Sequence, residues 1–271
     1  MTVDSPLIID DLVPKLREIA KRRGFVNPEI HFLPGSNIGD GYVGITSAIL
    51  LKEGENELKI FAKVASSLES FRTMLDVRRL FLQEIDFYER VYPTLSAFYH
   101  EKTGGCLNVA PECYKTSSEE SKEMIFMTNL RERGFTLHEK GTTMNRETLQ
   151  KVLSCYAQFH ATSFSVRDQN PDAYEKVTKD LSNIFCQIYE KCGLNKMFDG
   201  SIQDAIKCFD ASTELDIVER IKEAGKKGIA LTKQERVELS EYCAIIHGDC
   251  WSNNMMFKYK VSEKIPYCII T

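Results

Sequence analysis

With 271 residues, 43% of them hydrophobic and 10% aromatic, the chain has ample material for one large core or two modest ones. A net charge of −4 supplies no basic surplus for gripping a nucleic-acid backbone or an anionic membrane, so neither is expected as a partner. Nine scattered cysteines, an odd number with no Cys-x-x-Cys pair, predict reduced thiols, and five histidines without ligand-like spacing argue against zinc.

The chain opens MTVDSPLIIDDLVPKLREIAKRRGF, with acids first and basic residues after the apolar ones, the reverse of a secretory leader. No later segment approaches the roughly 20 apolar residues of a membrane span, and a cytoplasmic protein is the expectation. Residues 5–24 read as a helix, with Ile8, Leu12, Leu16 and Ile19 at helical spacing. Three β-like runs follow at 30–33, 42–51 and 58–64, broken by Gly-Ser-Asn, Gly-Asp-Gly and Glu-Gly-Glu-Asn clusters, which suggests an antiparallel meander. A long helix is expected over 68–91, another apolar run over 123–130, and mainly helical periodicity over 145–240. Strand-like segments at 255–259 and 267–270, joined by a polar turn containing Pro266, close the chain. The fold class is therefore α+β, a small mixed part followed by a mostly helical one.

The densest local signal is AIIHGDCWSNNMMF at 244–257, where an apolar run enters His247-Gly248-Asp249 and Asn254 follows Asp249 by five positions. Phosphoryl transfer to a hydroxyl needs an acceptor-orienting carboxylate and a metal ligand near the transferred group, and protein kinases place an Asp and an Asn at this offset. On that reading Asp249 is the base, Asn254 a Mg²⁺ ligand, and His247 braces the loop. The same residues also suit an ordinary β-turn with an Asx cap, and taken alone they leave both readings open.

On the expected 68–91 helix, Val77, Leu80, Phe81, Phe87, Tyr88 and Val91 form one apolar stripe with Glu84 in its middle, so the carboxylate is expected to be largely buried. A buried carboxylate without a partner is costly, and Lys63, alternating with Phe61 on the preceding strand, is the natural cation. Glu84 at the stripe's edge, reaching water, is the alternative. Gly39-Asp40-Gly41-Tyr42-Val43-Gly44 lies before Lys63, where a hairpin covering phosphates belongs, although glycines are common in any hairpin turn. It matches neither a Rossmann fingerprint nor a Walker loop. His160, within the stripe of Leu149, Val152, Leu153, Tyr156 and Phe164, reads as a core histidine. Trp251 either walls an acceptor pocket or anchors the loop. Neither Gly-x-Ser-x-Gly nor His-Glu-x-x-His occurs, so hydrolytic chemistry finds no support.

Assembled, these residues resemble the ecdysteroid kinase-like (CHK kinase-like) family, relatives of choline and aminoglycoside kinases. The resemblance runs from Gly39-Asp40-Gly41-Tyr42 and Lys63 through Glu84-Ile-Asp-Phe-Tyr88-Glu-Arg-Val-Tyr-Pro93 and Met124-Ile-Phe-Met-Thr-Asn-Leu-Arg-Glu-Arg-Gly134-Phe135 to Tyr156-Ala-Gln-Phe-His160-Ala. Its most specific piece is His247-Gly-Asp-Cys-Trp251-Ser-Asn-Asn254-Met-Met-Phe257, similar to the family's His-Gly-Asp-x-Trp-x-x-Asn pattern.

The resemblance implies a two-lobed protein-kinase-like fold. Residues 1–128 would form an ATP-covering N-lobe of antiparallel sheet plus helix, and 129–271 a helical C-lobe with the catalytic loop. ATP would lie in the cleft, its phosphates near Gly39, Gly41, Lys63 and Glu84, its adenine against 126–130, hence beside Phe126 and Asn129. Asp249 and His247 would be catalytic, with Asn254 holding Mg²⁺. The acceptor would be a hydroxyl on a small molecule, ecdysteroids being the family's best-known acceptors. Where the family often has an acid-Asp-Leu, this chain has Thr128-Asn129-Leu130. The family then continues from the last strand into an Asp-Phe-Gln-like motif carrying a second metal ligand, and this chain stops at Tyr267-Cys-Ile-Ile-Thr271. A C-terminally truncated chain with an incomplete C-lobe is the resulting expectation, with a non-catalytic nucleotide-binding or interaction protein derived from a kinase as the alternative.

Overall fold

A computed structural model describes residues 6–33, 44–181, 193–232, 243–260 and 263–270. The leading helix α1 (Pro6–Arg22) buries Leu12, Leu16, Ile19 and Ala20, the helical spacing that the sequence shows; the side chain of Ile8 lies outside the described residues. The expected meander follows as β1 (Glu29–Leu33), β2 (Gly44–Glu53) and β3 (Asn56–Ala65), with Glu53 opposite Asn56 across a two-residue turn at Gly54. The φ of +59° at Gly54 is what such a turn requires.

Strands β4 (Cys113–Ser117) and β5 (Met124–Thr128) complete an antiparallel five-stranded sheet in the order β1-β2-β3-β5-β4. The run at 123–130 becomes β5, all five residues of which are buried because it sits between two neighbours with both faces covered. Strand β4 carries little apolar alternation and is not legible from its own residues. It exists by pairing with β5, and its Tyr114 hydroxyl lies 2.8 Å from Thr128 Oγ1.

The sheet sorts its side chains by the two-residue period of a strand. Ile60, Ala62, Val64, Met124 and Phe126 pack towards α1, whereas Ala65, Ile125 and Met127 pack on the opposite face against Val77, Phe81, Ile85 and Tyr88. Those last residues are not on the single helix expected over 68–91. Helix α2 (Glu69–Leu75) ends and α3 (Val77–Asp86) begins at Asp76, which adopts the left-handed conformation (φ 48°, ψ 50°). A π-helical turn (Phe87–Val91) then runs into α4 (Tyr92–Thr103).

After a 3-10 turn (Arg131–Arg133) and β6 (Thr136–Leu137), the second half carries α5 (Arg146–Gln169), α6 (Pro171–Thr178), α7 (Leu194–Lys207) and α8 (Leu215–Thr232). Asn145 caps α5 by accepting from the Thr148 N–H at 2.8 Å. Strands β7 (Met255–Lys260) and β8 (Glu263–Ile270) join β6 in a three-stranded antiparallel sheet, and β8 packs against α5. A separate core forms here from Val152, Tyr156, Phe159, Val166, Met255 and Phe257. Val91, Leu95, Leu107 and Val109, which precede residue 128 in the chain, also belong to it. The architecture is α+β, a sheet-and-helix half and a mainly helical half, consistent with a kinase-like fold.

Candidate active site

Strand period and helix period meet at Lys63 and Glu84. Because Ala62 and Val64 face α1, Lys63 faces α3, and there its Nζ donates to Glu84 Oε1 at 2.7 Å. The side chains are 27% and 32% exposed, so Glu84 is not largely buried as expected. It flanks the stripe, while Phe81, Ile85 and Tyr88 turn inward. Edge position and cationic partner thus occur together. Burial, and then the nearby Glu84 charge, pushes the Tyr88 hydroxyl well above its ordinary pKa, so Tyr88 adds no second anion beside the pair. The Tyr88 hydroxyl also lies 4.0 Å from Met127 Sδ, tying the π-helical turn to β5.

The second group of residues is laid out along α5. Arg167 Nη1 donates to the Cys243 carbonyl at 2.7 Å, and the Ile245 N–H donates to the hydroxyl of fully buried Ser163 at 2.8 Å. The His247 ring meets the Tyr156 ring edge to face at 6.3 Å. Gly248 then takes φ +85°, a left-handed conformation that only glycine adopts without strain, and the chain reverses. The Asp249 N–H donates to His247 Nδ1 at 3.2 Å, which places the proton of the neutral ring on Nε2. The Trp251 N–H returns to the Asp249 carbonyl at 3.1 Å. One 3-10 turn (Ser252–Asn254) brings Asn254 back over this loop. Asn254 Nδ2 donates both to the Asp249 carbonyl at 3.0 Å and to Asp249 Oδ2 at 2.8 Å. Both partners are acceptors only, so the amide must present its nitrogen to them and keeps Oδ1 for a cation. The turn and the Asp–Asn pair are one object: the turn is how the pair closes.

The ecdysteroid kinase-like family matches the chain over residues 39–271, a span that takes in both groups of residues. The chain belongs to the ecdysteroid kinase-like family. Neither the curated proteins nor the solved structures contain a match. Membership in this kinase-like family gives the chain a kinase-type phosphotransferase ancestry, and family kinases use ATP and Mg²⁺. The donors present suit such an ion, because Mg²⁺ takes oxygen ligands, commonly one or two from protein together with nucleotide phosphates. Asn254 Oδ1 is one such oxygen, and among the described residues no cluster of three His, Cys, Asp or Glu competes with it.

The remaining sequence-derived positions divide. Gly39 and Gly41 lie outside the described residues. Gly44, at the end of the same glycine-rich segment, begins β2 so close to β3 that a Cβ there would fall 2.3 Å from the Val64 carbonyl oxygen. Phe126 belongs to the segment expected to border adenine. Its side chain is fully buried on the α1 face, opposite Lys63, so only main chain at this position is available to a nucleotide on the Lys63 side. Asn129, 4% exposed, uses its side chain locally: Oδ1 accepts from the Arg131 N–H at 3.2 Å, and its own N–H donates to the Lys59 carbonyl at 3.1 Å. Burial lowers the pKa of His160, and its Nε2 is buried with no hydrogen-bond partner among the described residues, the behaviour of a neutral core ring. Trp251 is exposed beside Asp249.

Sequence reasoning missed one charged cluster. Glu123, fully buried, accepts from Arg72 Nη1 and Nη2 at 3.0 and 2.9 Å and from Arg78 Nη1 at 2.8 Å. The signal was present, since Glu123 opens an apolar run, the same conflict of charge and environment that drew attention to Glu84.

Proposed function

We propose that the chain is an ATP-dependent phosphotransferase that moves the γ-phosphoryl group of ATP to a hydroxyl of a small molecule, ecdysteroid-like or another small alcohol. The observation that carries this reading is the Asp249–Asn254 pair, closed by an Asn amide whose oxygen is left for a metal. In this scheme residues 1–128 cover ATP and 129–271 supply the catalytic loop. Lys63, held by Glu84, grips the phosphates; Gly39 and Gly41 belong to the segment above them; the main chain around Phe126 and Asn129 borders adenine.

Asp249 orients the acceptor hydroxyl and accepts its proton as the acceptor oxygen bonds to the γ-phosphorus and the bond to the β–γ bridging oxygen breaks, releasing ADP. His247 holds the Asp249 main chain in place through Nδ1. Asn254 would hold Mg²⁺ through Oδ1, and the ion, when bound, would neutralise phosphate charge. Neither nucleic acid nor a membrane is a partner in this reading, and no described helix is long and apolar enough to cross a membrane.

The test pairs a thermal shift with ATP and Mg²⁺ with a γ-phosphate transfer assay against sterol and amino-alcohol acceptors. Asp249→Ala should lower transfer by about 10²–10⁴-fold, the usual worth of a positioned base, with ATP affinity little changed. Lys63→Ala should weaken both binding and transfer. An Asp249→Ala protein as active as the wild type would remove the proposal, and binding without transfer to any acceptor would leave a nucleotide-binding protein.

A further inference from the structure

We infer that Glu123 is a positioning residue for the Lys63–Glu84 pair, an internal carboxylate that holds α3 at the height where Glu84 meets Lys63; the inference rests on the phosphate-gripping reading of that pair. Glu123 stands at the entry to β5, and its carbonyl accepts from the Ala65 N–H at 2.9 Å, extending the β3–β5 ladder in which Lys63 lies opposite Ile125. Its backbone is therefore fixed to the strand that carries Lys63. Its carboxylate reaches to the helices. Arg72 comes from α2 and Arg78 from the first turn of α3, so the two cations flank the left-handed corner at Asp76 and converge on one anion. Arg72 Nη1 also donates to the Ser66 carbonyl at 3.1 Å, just beyond the end of β3.

The arrangement makes the corner's geometry follow the sheet. Glu84 lies six residues after Arg78 on α3, about 9 Å along the axis at 1.5 Å per residue, and a rigid helix transmits the position of its first turn over that distance. The anion of the anchor is the better insulated of the two: Glu123 is 0% exposed against 32% for Glu84, with Arg72 at 9% and Arg78, the cation on α3, at 37%. A partly exposed, screened pair is weak by itself, so the place of Glu84 opposite Lys63 depends on what holds α3: the packing of Val77, Phe81 and Ile85 on the sheet and, at its first turn, the Arg78 contact to buried Glu123.

The experiment compares wild type, Glu84→Gln, Glu123→Gln and the double variant in the full chain, each confirmed folded at the assay temperature. One readout is acylation of the Lys63 amine by an amine-directed reagent, mapped by mass spectrometry. The other is KM for ATP separately from kcat. Glu123→Gln should speed Lys63 acylation severalfold and raise KM for ATP by about tenfold, in the same sense as Glu84→Gln, because both act through Lys63. The double variant should show little more than Glu84→Gln alone, the non-additivity of groups acting on one contact. Wild-type acylation and KM in Glu123→Gln, or additive effects in the double variant, would overturn the inference while leaving the kinase reading intact. A wild type that neither binds ATP nor transfers phosphate would remove the kinase reading, and acylation would still decide whether Glu123 sets the pair. If Glu123→Gln does not fold, Arg78→Met releases α3 while leaving Arg72 on Glu123. Faster Lys63 acylation there supports the inference, and unchanged acylation overturns it.

Discussion

Asp249 and Asn254 are five residues apart and meet because Gly248 reverses the chain at φ +85° and a 3-10 turn folds Asn254 back. Among the described residues no neighbouring atom lies within 4 Å of a Cβ placed on Gly248, so the cost of a side chain there is conformational rather than steric crowding. Gly248→Ala should therefore cost about 1–2 kcal/mol if the left-handed geometry is kept. The loop can relieve that strain by moving Asp249, and transfer activity should fall by more than the melting temperature suggests while ATP affinity is retained. Calorimetry beside a transfer assay checks this. Pairing at Glu84 shows the same dependence on a few atoms: one strand alternation places Lys63 on the α3 face, and the helix register does the rest.

At the level of elements, β2 begins at a point where β3 and α3 both crowd the chain. Gly44 leaves room for the Val64 carbonyl at the end of β3, and a Cβ would also come within 3.2 Å of the Phe81 ring on α3. Backbone on one side cannot give way. Gly44→Ala should destabilise by about 1–3 kcal/mol, the usual range for overpacking, and loosen the strand that follows the glycine-rich segment. Urea unfolding measures the first effect, and a weakened thermal shift with ATP the second. The helix expected over 68–91 breaks at Asp76 although its apolar stripe continues. Periodicity records which face is buried, and it does not record a single left-handed residue that re-aims the helix while both halves stay amphipathic.

Across the whole molecule, the core between the sheet and α3 meets the core around α5 at the π-helical turn, where Tyr88 belongs to the first, Val91 to the second and Phe87 packs against both. The acid response should be dominated by the buried charge cluster. Burial alone would raise the Glu123 pKa, but hydrogen bonds from Arg72, its own backbone and Arg78 outweigh it and hold the carboxyl below the ordinary glutamate value. A folded-state pKa below the unfolded one contributes stability that is present above about pH 4.3 and lost as pH falls through the folded value. Melting temperatures should consequently fall steeply below about pH 4 in the wild type. In Glu123→Gln the protein should start less stable, by up to about 3–5 kcal/mol for a broken buried pair, and show a flatter acid limb. Parallel acid limbs in the two proteins would assign the acid loss elsewhere.

On α5 the stripe read from the sequence was half wrong, since Leu149 and Leu153 are exposed and Cys155, Phe159 and Val166 are buried instead, and the apolar run at 123–130 did not declare itself a strand. Local spacing in the sequence was enough for α1, the β1–β3 meander and β7, and for naming Lys63, Glu84, Asp249 and Asn254 as candidates. Each of those rests on a period, a turn residue or a fixed offset within a few positions. Tertiary structure alone decided the rest: that β4 is a strand, that Asp76 turns a corner, that Phe126 faces away from Lys63, and that Glu123 gathers Arg72 and Arg78 from 51 and 45 residues away. The physical reason is the same in each case. A strand needs a neighbour to pair with, and a buried charge is tolerable only once its partner has arrived, so these features are properties of contacts between distant segments rather than of any one segment.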